Sequence, residues 1–180
     1  DEDDNFQLIK KLNYLKTNNL FFLDKSKIEK IINANNLVEK FSVFKIYPST
    51  LDITIYKTNF LAQTKINGNH FILGSNGKLI KTNKLEKKLP TIYGDFKVKN
   101  FFELKNIINK TNFDYNDIKN LFFFKSGRWD IETKNGLLVK LPKNDLKKSL
   151  ELFLNFLAKE DFKEIKKIDL RQHNQIITNG

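Results

Sequence analysis

The hydrophobic periodicity of the chain changes near residue 40, and this change limits the possible folds more than any other feature. Before it, apolar residues recur with the spacing of amphipathic helices, which predicts helices over residues 5–16 and 25–35. After it, the pattern alternates with period two, which predicts strands over Phe41–Tyr47 and Leu51–Lys57, joined at Pro48. Two strands do not easily form a stable sheet alone. We therefore expect a third strand ahead of the first helix, either missing from this chain or beginning before residue 1.

The starts of both helices carry capping signals. Asp1 to Asp4 form a short acidic lead, which suits the positive end of a helix dipole and predicts a cap for the first helix. Ser26 and Glu29 have the spacing of a capping box, which predicts the start of the second helix.

A second section begins after about Lys65 and is richer in strands. Asn76-Gly77 is a tight-turn signal, which predicts a hairpin of His70–Leu73 with Lys78–Thr82. Leu89-Pro90 and Gly94 mark an irregular connection. The other predicted elements are a helix over Asn100–Asn109 capped by Asn100 with Glu103 at N3, strands over Asp117–Phe124, Arg128–Thr133 and Leu137–Leu141, and a long helix over Lys143–Lys159. We therefore predict an α+β fold with domains over residues 1–65 and 66–180.

The last stretch of the chain predicts two short strands, Lys167–Arg171 and Asn174–Thr178. In the first of them, Ile168 and Leu170 point to one face, while Asp169 and Arg171 point to the other. A strand at the end of a chain often lies at the edge of its sheet, where its N–H and C=O groups are unpaired. An extended segment of another protein can fill such an edge. The sequence therefore predicts a surface for binding a partner protein.

The composition limits the class of partner. The 180 residues carry a formal net charge of +11, but Arg128 and Arg171 are the only arginines among the basic residues. Lysine is the poorer residue for bidentate recognition of bases and phosphates, and the lysines are spread along the chain, so we disfavour nucleic-acid binding. Weak attraction to an anionic membrane surface is at least as plausible. The chain contains no cysteine, no secretory signal is visible, and no apolar run approaches the roughly 20 residues that span a bilayer.

No pattern of residues predicts an enzyme, a cofactor or a metal site. The two histidines, His70 and His173, lack ligands at metal-binding spacing and are predicted to be structural or solvated. Asp130 and Glu132 beside Trp129 resemble a glycosidase pair, but a core Trp with solvated acids on the opposite face is the simpler interpretation. Asp169 and Arg171 are predicted to share a face, either as a surface ion pair or with Arg171 contacting an acidic partner segment. Both interpretations stay open.

Three motifs, in this order, carry a resemblance to a known family. They are FSVFKIYPSTLDITIYKTNFLA (Phe41–Ala62), the hairpin ILGSNGKLI followed by LPTIYG (Leu89–Gly94), and IDLR (Ile168–Arg171) after a long amphipathic helix. Together they resemble the extracytoplasmic part of the bacterial cell-division protein FtsQ, called DivIB in Gram-positive bacteria. The resemblance covers essentially the whole chain.

This resemblance implies a fold and a function. The fold would be a POTRA domain to about Lys65 and then a β domain, a twisted sheet with helices on one side. The family has no known catalysis; one N-terminal transmembrane helix, absent here, anchors it at the periplasmic face of the inner membrane, at the division septum. It acts as a scaffold that binds FtsB and FtsL, and FtsB adds a strand to its C-terminal edge. The partner-binding residues that carry over are Arg171, Gln172, Asn174, Gln175, Ile176, Ile177 and Thr178.

Two other functions remain as alternatives at this point. A POTRA-type module that chaperones outer-membrane proteins would also act by strand addition, although such systems typically string several POTRA units together. A lysine-rich binder of anionic surfaces would instead show a steep dependence of affinity on salt.

Overall fold

The computed structural model describes residues 2–13, 15, 19–158, 165–173 and 175–179. The chain divides into two compact units: unit 1 comprises Asp1–Leu61 and Phe71–Thr82, and unit 2 comprises Ala62–His70 and Asn83–Gly180. None of the helices in the described ranges combines the length and apolar character that crossing a bilayer requires.

Unit 1 begins with the two predicted helices and the predicted hairpin. The elements are α1 (Glu2–Asn13), a 3₁₀ turn (Leu20–Phe22), α2 (Lys25–Asn33), β1 (Val38–Ile46) and β2 (Thr50–Lys57). β1 and β2 pair antiparallel, with Val43 opposite Ile53. The buried residues of its core cluster are Leu8, Leu15, Ile28, Ile32, Val38 and Val43. The helical stripe and the alternating strands therefore meet in one core, as the periodicity predicted.

The start of α1 differs from the sequence prediction by three residues, whereas α2 begins at Lys25 as predicted. α1 begins at Glu2, so Glu2 to Asp4 of the acidic lead form part of its first turn instead of preceding it. The predicted capping box of α2 is wrong: Asp24 is the N-cap, and its Oδ1 accepts a hydrogen bond from the Ser26 N–H at 2.9 Å. An aspartate caps a helix as well as a serine does. Since Asp24 also precedes the first helical residue, it occupies the capping position.

The third helix is also capped differently from the prediction. Asn100 is not the N-cap of α3 (Val98–Ile108) but its N3 residue, and its Oδ1 accepts a hydrogen bond from the Lys97 N–H at 3.0 Å. A side chain at N3 that reaches back in this way satisfies a donor ahead of the helix. The predicted capping residue thus contributes to the helix start from inside the helix.

The predicted hairpin over residues 70–82 is confirmed as β4 (Asn69–Gly74) and β5 (Leu79–Thr82). Residues 71–82 belong to unit 1, where Asn76 Nδ2 donates to Asn36 O at 2.9 Å and to Val38 O at 2.8 Å. A side chain at Gly74 would clash, since its Cβ would lie 2.6 Å from Asn76 Oδ1 and 2.7 Å from Thr58 Oγ1. The Asn-Gly turn is therefore both a hairpin turn and an anchor within unit 1.

Unit 2 is built around a mixed sheet. Its further elements are residues 62–66 of β3 (Phe60–Ile66), β6 (Thr91–Tyr93), α3, β7 (Ile118–Phe123), β8 (Trp129–Thr133), β9 (Leu138–Lys140), α4 (Leu146–Leu157), β10 (Lys167–Asp169) and β11 (Ile177–Asn179). Their order in the sheet is β3-β6-β7-β8-β9-β10-β11. The predicted meander is confirmed, because β7, β8 and β9 pair antiparallel. The predicted long helix is confirmed as α4, which begins three residues later than predicted and ends at Leu157; Lys159 lies outside the described residues.

Two strands of this sheet were not predicted. β3 carries Gln63 and Thr64 as buried polar residues, and β6 has only three residues, next to Pro90 and Gly94. The amide of Gln63 donates to Glu86 O and Leu89 O and accepts from the Glu86 N–H, so its burial leaves no polar group without a partner. Leu89, Pro90 and Gly94 lie outside regular structure as predicted, but the connection that they mark contains β6, which the sequence did not indicate.

Two helical crossovers fix the layers of unit 2. α3 joins β6 to β7 and α4 joins β9 to β10, and both strand pairs are parallel. One face of the sheet carries a row of residues in register that are almost completely buried: Ile92, Leu121, Ile131, Val139 and Ile168. The buried residues of the two helices are Phe101, Leu104 and Ile108 on α3, and Leu150 and Phe153 on α4. In the described part of unit 2 the helices cover this face, and the opposite face, here called the helix-free face, carries no helix of that part.

We predict that Phe153→Ala lowers the free energy of unfolding by about 3–5 kcal/mol, because Phe153 is fully buried and its ring lies 6.1 Å from that of Phe113. Urea unfolding followed by the fluorescence of Trp129, the single tryptophan, measures this loss. Asn155→Ala on the same helix is the matched control and is expected to stay within about 0.5 kcal/mol of the parent. Equal losses in the two variants would contradict the packing of α4 described here.

Candidate partner-binding edge

β11 is the outermost strand of the unit 2 sheet. Within the described residues it pairs only with β10, antiparallel, with Ile168 opposite Thr178. The strand is shorter and later than predicted: it covers residues 177–179, while Gln175 and Ile176 precede it and Asn174 lies outside the described residues. The prediction of an extended segment at the sheet margin therefore holds for Ile177 and Thr178 and is wrong for Gln175 and Ile176.

β10 also ends earlier than predicted, at Asp169 instead of Arg171. The Asp169 carboxylate accepts the Arg171 N–H at 3.0 Å and the Arg171 Nε–H at 2.8 Å. A side chain that takes a backbone donor in this way replaces a ladder hydrogen bond. The predicted same-face pair of Asp169 and Arg171 is confirmed, and the same contact ends the strand.

Strand pairing inside the sheet determines where the main-chain groups of β10 point. Leu138 N–H donates to Lys166 O, and Leu170 N–H donates to Lys140 O, both at 2.9 Å. Neighbouring residues of a strand direct their main-chain groups to opposite sides. The even-numbered residues of this segment consequently face β9, and the odd-numbered residues face β11.

The same alternation identifies the main-chain N–H and C=O groups of β11 that do not pair with β10. Lys167 lies opposite Asn179 and Asp169 lies opposite Ile177, so these two pairs exchange the main-chain hydrogen bonds between β10 and β11. The residue between them, Thr178, directs its N–H and C=O away from the sheet. Thr178 is therefore the position on β11 at which another strand can form hydrogen bonds.

The side chains at this edge divide between the two faces. Ile177 lies opposite Asp169 on the helix-free face and is 50% exposed, which leaves an apolar contact surface at the margin. Thr178 lies in register with the buried row and is itself exposed. Arg171 and Gln172 lie elsewhere, in a groove that they line with Leu170, Lys148 and Leu152. Of the predicted residues that the structure describes, Arg171 and Gln172 line the groove, Ile177 and Thr178 lie on the edge strand, and Gln175 and Ile176 belong to neither set.

A row of charged residues crosses the helix-free face towards the edge. Asp130 on β8 lies opposite Lys140 on β9, and Lys140 lies opposite Asp169 on β10. Opposite charges at directly facing positions stabilise neighbouring strands. Arg128 adds a further contact, with its Nε 3.4 Å from Asp130 Oδ1. Carboxylates and cations therefore alternate across three strands.

The prediction of solvated acids on this face is wrong for Asp130, which is only 3% exposed. Burial raises the pKa of the Asp130 carboxyl, and the positive charges of Arg128, Lys140 and Arg171 oppose that rise. Glu132 is more exposed and is held by Asn120 Nδ2 at 2.8 Å and Lys119 Nζ at 3.0 Å, whose hydrogen bonds lower its pKa. Trp129 is buried in the core as predicted. Each acid is thus engaged by neighbours of its own.

The sequence did not indicate the charged row, because cross-strand register is not visible in local patterns. The one sequence pattern that bears on this row is the alternation that puts Asp130 and Glu132 on one face. It does not indicate that Lys140 lies opposite Asp130. His173 lines the groove beside Gln172 and is exposed. No group of three or more His, Cys, Asp or Glu residues in the described ranges is arranged to hold a metal ion.

We predict that Asp169→Asn lowers the free energy of unfolding by about 1–2 kcal/mol at pH 7, because the Arg171 guanidinium loses its charged acceptor. Hydrogen bonds from the Arg171 side chain hold the pKa of Asp169 below its ordinary value of 3.8. The stabilisation is therefore present above that value and is lost as the pH falls through the lower pKa of the folded state. Urea unfolding at pH 7 and near pH 3 is expected to show the two proteins converging in acid.

Glu151→Gln is the matched control for this experiment. Glu151 Oε1 lies 3.5 Å from Lys147 Nζ, and both side chains are about half exposed, so the charge change is expected to cost at most about 0.5 kcal/mol. A difference between the parent and Asp169→Asn that did not change with pH would contradict a charge-dependent role of this pair.

Two family models match the chain in sequence order. The FtsQ-type POTRA domain matches residues 4–56, and the C-terminal region of cell division protein FtsQ/DivIB matches residues 62–171. The expected order of a POTRA domain followed by a β domain is confirmed. The predicted boundary between residues 65 and 66 stays a prediction.

Similar proteins carry cell-division names. The chain is 27% identical to cell division protein DivIB of Clostridium botulinum (strain Loch Maree / Type A3), with 89% of this chain and 70% of that protein covered. It is 25% identical to cell division protein FtsQ of Rickettsia bellii (strain RML369-C), with 93% and 64% covered. For cell division protein FtsQ of Bradyrhizobium diazoefficiens the identity is also 25%, and the chain spans 47% of that protein's length.

A solved structure, that of the major extracytoplasmic domain of the trans isomer of DivIB from Geobacillus stearothermophilus, is 14% identical, with a TM-score of 0.42. It covers 57% of this chain and 93% of its own length. The family models are the stronger finding, since the C-terminal model alone extends over residues 62–171 of 180. The resemblance seen in the three sequence motifs is confirmed: the chain belongs to the FtsQ/DivIB family of cell division proteins.

Proposed function

We propose that this chain is the partner-binding part of a non-enzymatic cell-division scaffold, and that it binds FtsB-like and FtsL-like proteins by adding one of their strands to β11. The observation that carries the proposal is the outward direction of the Thr178 N–H and C=O on the outermost strand. Unpaired main-chain groups on an exposed edge are the feature that strand addition requires.

The main chain alone supplies a modest part of the affinity. A backbone hydrogen bond contributes about 0.5–1.5 kcal/mol net, and β11 presents the two groups of Thr178 within its three residues. Side-chain contacts must therefore add to the binding. Ile177 supplies apolar surface on the helix-free face, next to the position that a partner strand would occupy. A partner with an apolar residue facing Ile177 would bury both side chains.

The groove beside the edge supplies a polar contact. Arg171 lines it with a side chain that is 43% exposed although Asp169 holds the guanidinium. The Asp169 contact fixes the orientation of the guanidinium, so less side-chain entropy is lost when a partner carboxylate approaches. The ion pair and the partner contact are thus compatible roles of Arg171. Gln172 lines the same groove and offers a further donor and acceptor.

The cellular setting is part of the same proposal. A scaffold of this family would act on the periplasmic side of the inner membrane at the division septum, held there by an N-terminal transmembrane helix. Its POTRA domain would belong to the same assembly. Support comes from the family membership and from the cell-division names of the relatives.

We predict that Thr178→Pro weakens the binding of a peptide from the FtsB-like protein of the same organism by about tenfold, as measured by isothermal titration calorimetry. Proline removes the N–H that faces away from the sheet, and the partner carbonyl opposite it loses its donor. The pairing between β10 and β11 is expected to persist, because it uses the main-chain groups of Ile177 and Asn179.

Thr178→Val is the matched control, since it keeps the N–H and a β-branched side chain and is expected to bind like the parent. Unchanged binding in a folded Thr178→Pro protein would refute β11 as the site. Equal or tighter binding of peptides from outer-membrane barrel proteins would favour the chaperone alternative over a division scaffold.

A further inference from the structure

Unit 1 carries an exposed apolar patch that the proposed function does not use. The patch, here called the aromatic tip, consists of Ile9, Phe21, Phe22, Ile46 and Tyr47, which are 58%, 64%, 87%, 53% and 57% exposed. The rings of Phe21 and Tyr47 lie 4.9 Å apart, which joins two segments that are distant in sequence. Scattered single apolar residues are ordinary on a protein surface, but a contiguous group indicates a contact site.

Hydrogen bonds hold the first segment of the aromatic tip in its outward position. Asn19 Oδ1 accepts the Phe21 N–H at 2.9 Å, and Asn19 O accepts the Phe22 N–H at 3.0 Å, which closes the 3₁₀ turn. Leu20 is 6% exposed and anchors the turn in the core. With Leu20 directed inwards, the next two side chains have to face solvent. The protrusion is therefore built by specific contacts.

A second contact ties this turn to β1. Lys45 Nζ donates to Leu23 O at 2.5 Å, so the chain leaving the 3₁₀ turn is bound to the strand that carries Ile46. Ile9 and Phe21 also line one groove together with Leu12 and Leu51, which makes the apolar surface continuous from α1 to the β1–β2 hairpin. The ring contact and the groove thus join Ile9, Phe21 and Tyr47, and Phe22 and Ile46 adjoin them as chain neighbours.

Both lysines and acidic residues lie around the aromatic tip. In the described segments that form it, Lys10 lies in the last turn of α1 and Lys25 follows the exposed rings, while Lys45 is bound to Leu23 O and Lys11 lines a separate groove. The acidic neighbours are Asp24, Asp52 and Glu29. The carboxylate of Asp24 caps α2 through the Ser26 N–H, and Glu29 Oε1 lies 3.9 Å from Lys25 Nζ, with both side chains exposed.

We propose that the aromatic tip docks on the surface of an anionic lipid bilayer. Phenylalanine and tyrosine rings enter the interfacial region of a membrane, while lysines beside them are attracted to anionic headgroups. Phe22 protrudes almost fully from the protein, and hot spots of protein interfaces usually lie in well-packed, desolvated pockets. A deformable lipid surface can receive a single ring that protrudes to this extent without a preformed pocket. The net charge of +11 also attracts the whole protein to an anionic membrane at long range.

The test is sedimentation of the chain with phosphatidylcholine vesicles that contain or lack phosphatidylglycerol, at low salt. The parent is expected to partition onto the anionic vesicles and much less onto the neutral ones. Phe22→Ser is expected to weaken that partitioning by about tenfold, because an exposed ring no longer enters the interface. Tyr93→Ser is the matched control, since Tyr93 is a 49% exposed aromatic residue of unit 2, and it is expected to partition like the parent.

A spectroscopic readout shows whether the tip itself enters the lipid. The indole emission of Phe22→Trp is expected to shift to shorter wavelength on anionic vesicles, whereas that of Tyr93→Trp is expected to stay unchanged; Trp129 is buried and contributes a constant background. Absence of parent binding to anionic vesicles would overturn the proposal, and so would equal losses for Phe22→Ser and Tyr93→Ser. A shift of the Phe22→Trp emission that followed protein concentration instead of lipid would overturn it in favour of self-association.

Discussion

The parallel pairing of β9 and β10 is the constraint on which the terminal edge depends. Parallel neighbours need a crossover, and α4 provides it while its buried side chains cover one face of the sheet. Once Leu138 and Lys140 form hydrogen bonds with β10, the direction of each later main-chain group follows by alternation. The outward direction of Thr178 is therefore a consequence of strand pairing two strands away, and a change in that register would reverse it.

The helix-free face of unit 2 shows how a sheet with helices on one face can carry buried charged groups at a low free-energy cost. Asp130 is almost fully buried, which is unfavourable for a charged carboxylate unless opposite charges lie close. The strand register places Lys140 opposite Asp130, and Arg128, just before the first residue of β8, adds a second positive charge. Asp169 obtains its partner locally instead, from Arg171 two residues on. The same face therefore combines long-range and local charge pairing, and the local pair lies beside the proposed binding edge.

The sequence predicted those elements whose hydrophobic periodicity extends over a long continuous segment of the chain. The β1–β2 hairpin and the β7–β9 meander show a period-two alternation of apolar residues, and α4 shows an apolar stripe with helical spacing. Each pattern is long enough to be distinguished from chance. β3 and β6 were missed because they are stabilised by non-local parallel pairing and by the buried amide of Gln63, which resembles a loop residue in sequence. The edge position of the last strand was predictable from its place in the chain. The burial of Asp130 was not, since it depends on Lys140, ten residues away.

The end of β10 and the turn at Asn76 follow the same physical rule. In both places a short polar side chain replaces a main-chain partner: Asp169 accepts the Arg171 N–H, and Asn76 donates to Asn36 O and Val38 O. Such a contact ends or anchors a segment at a defined residue, which periodicity alone cannot do. At Asp169 it ends the ladder just where Arg171 and Gln172 enter the groove. The carboxylate thereby separates two surfaces, an edge of free main-chain groups and a groove lined by polar side chains, and a partner that contacts both must turn between them.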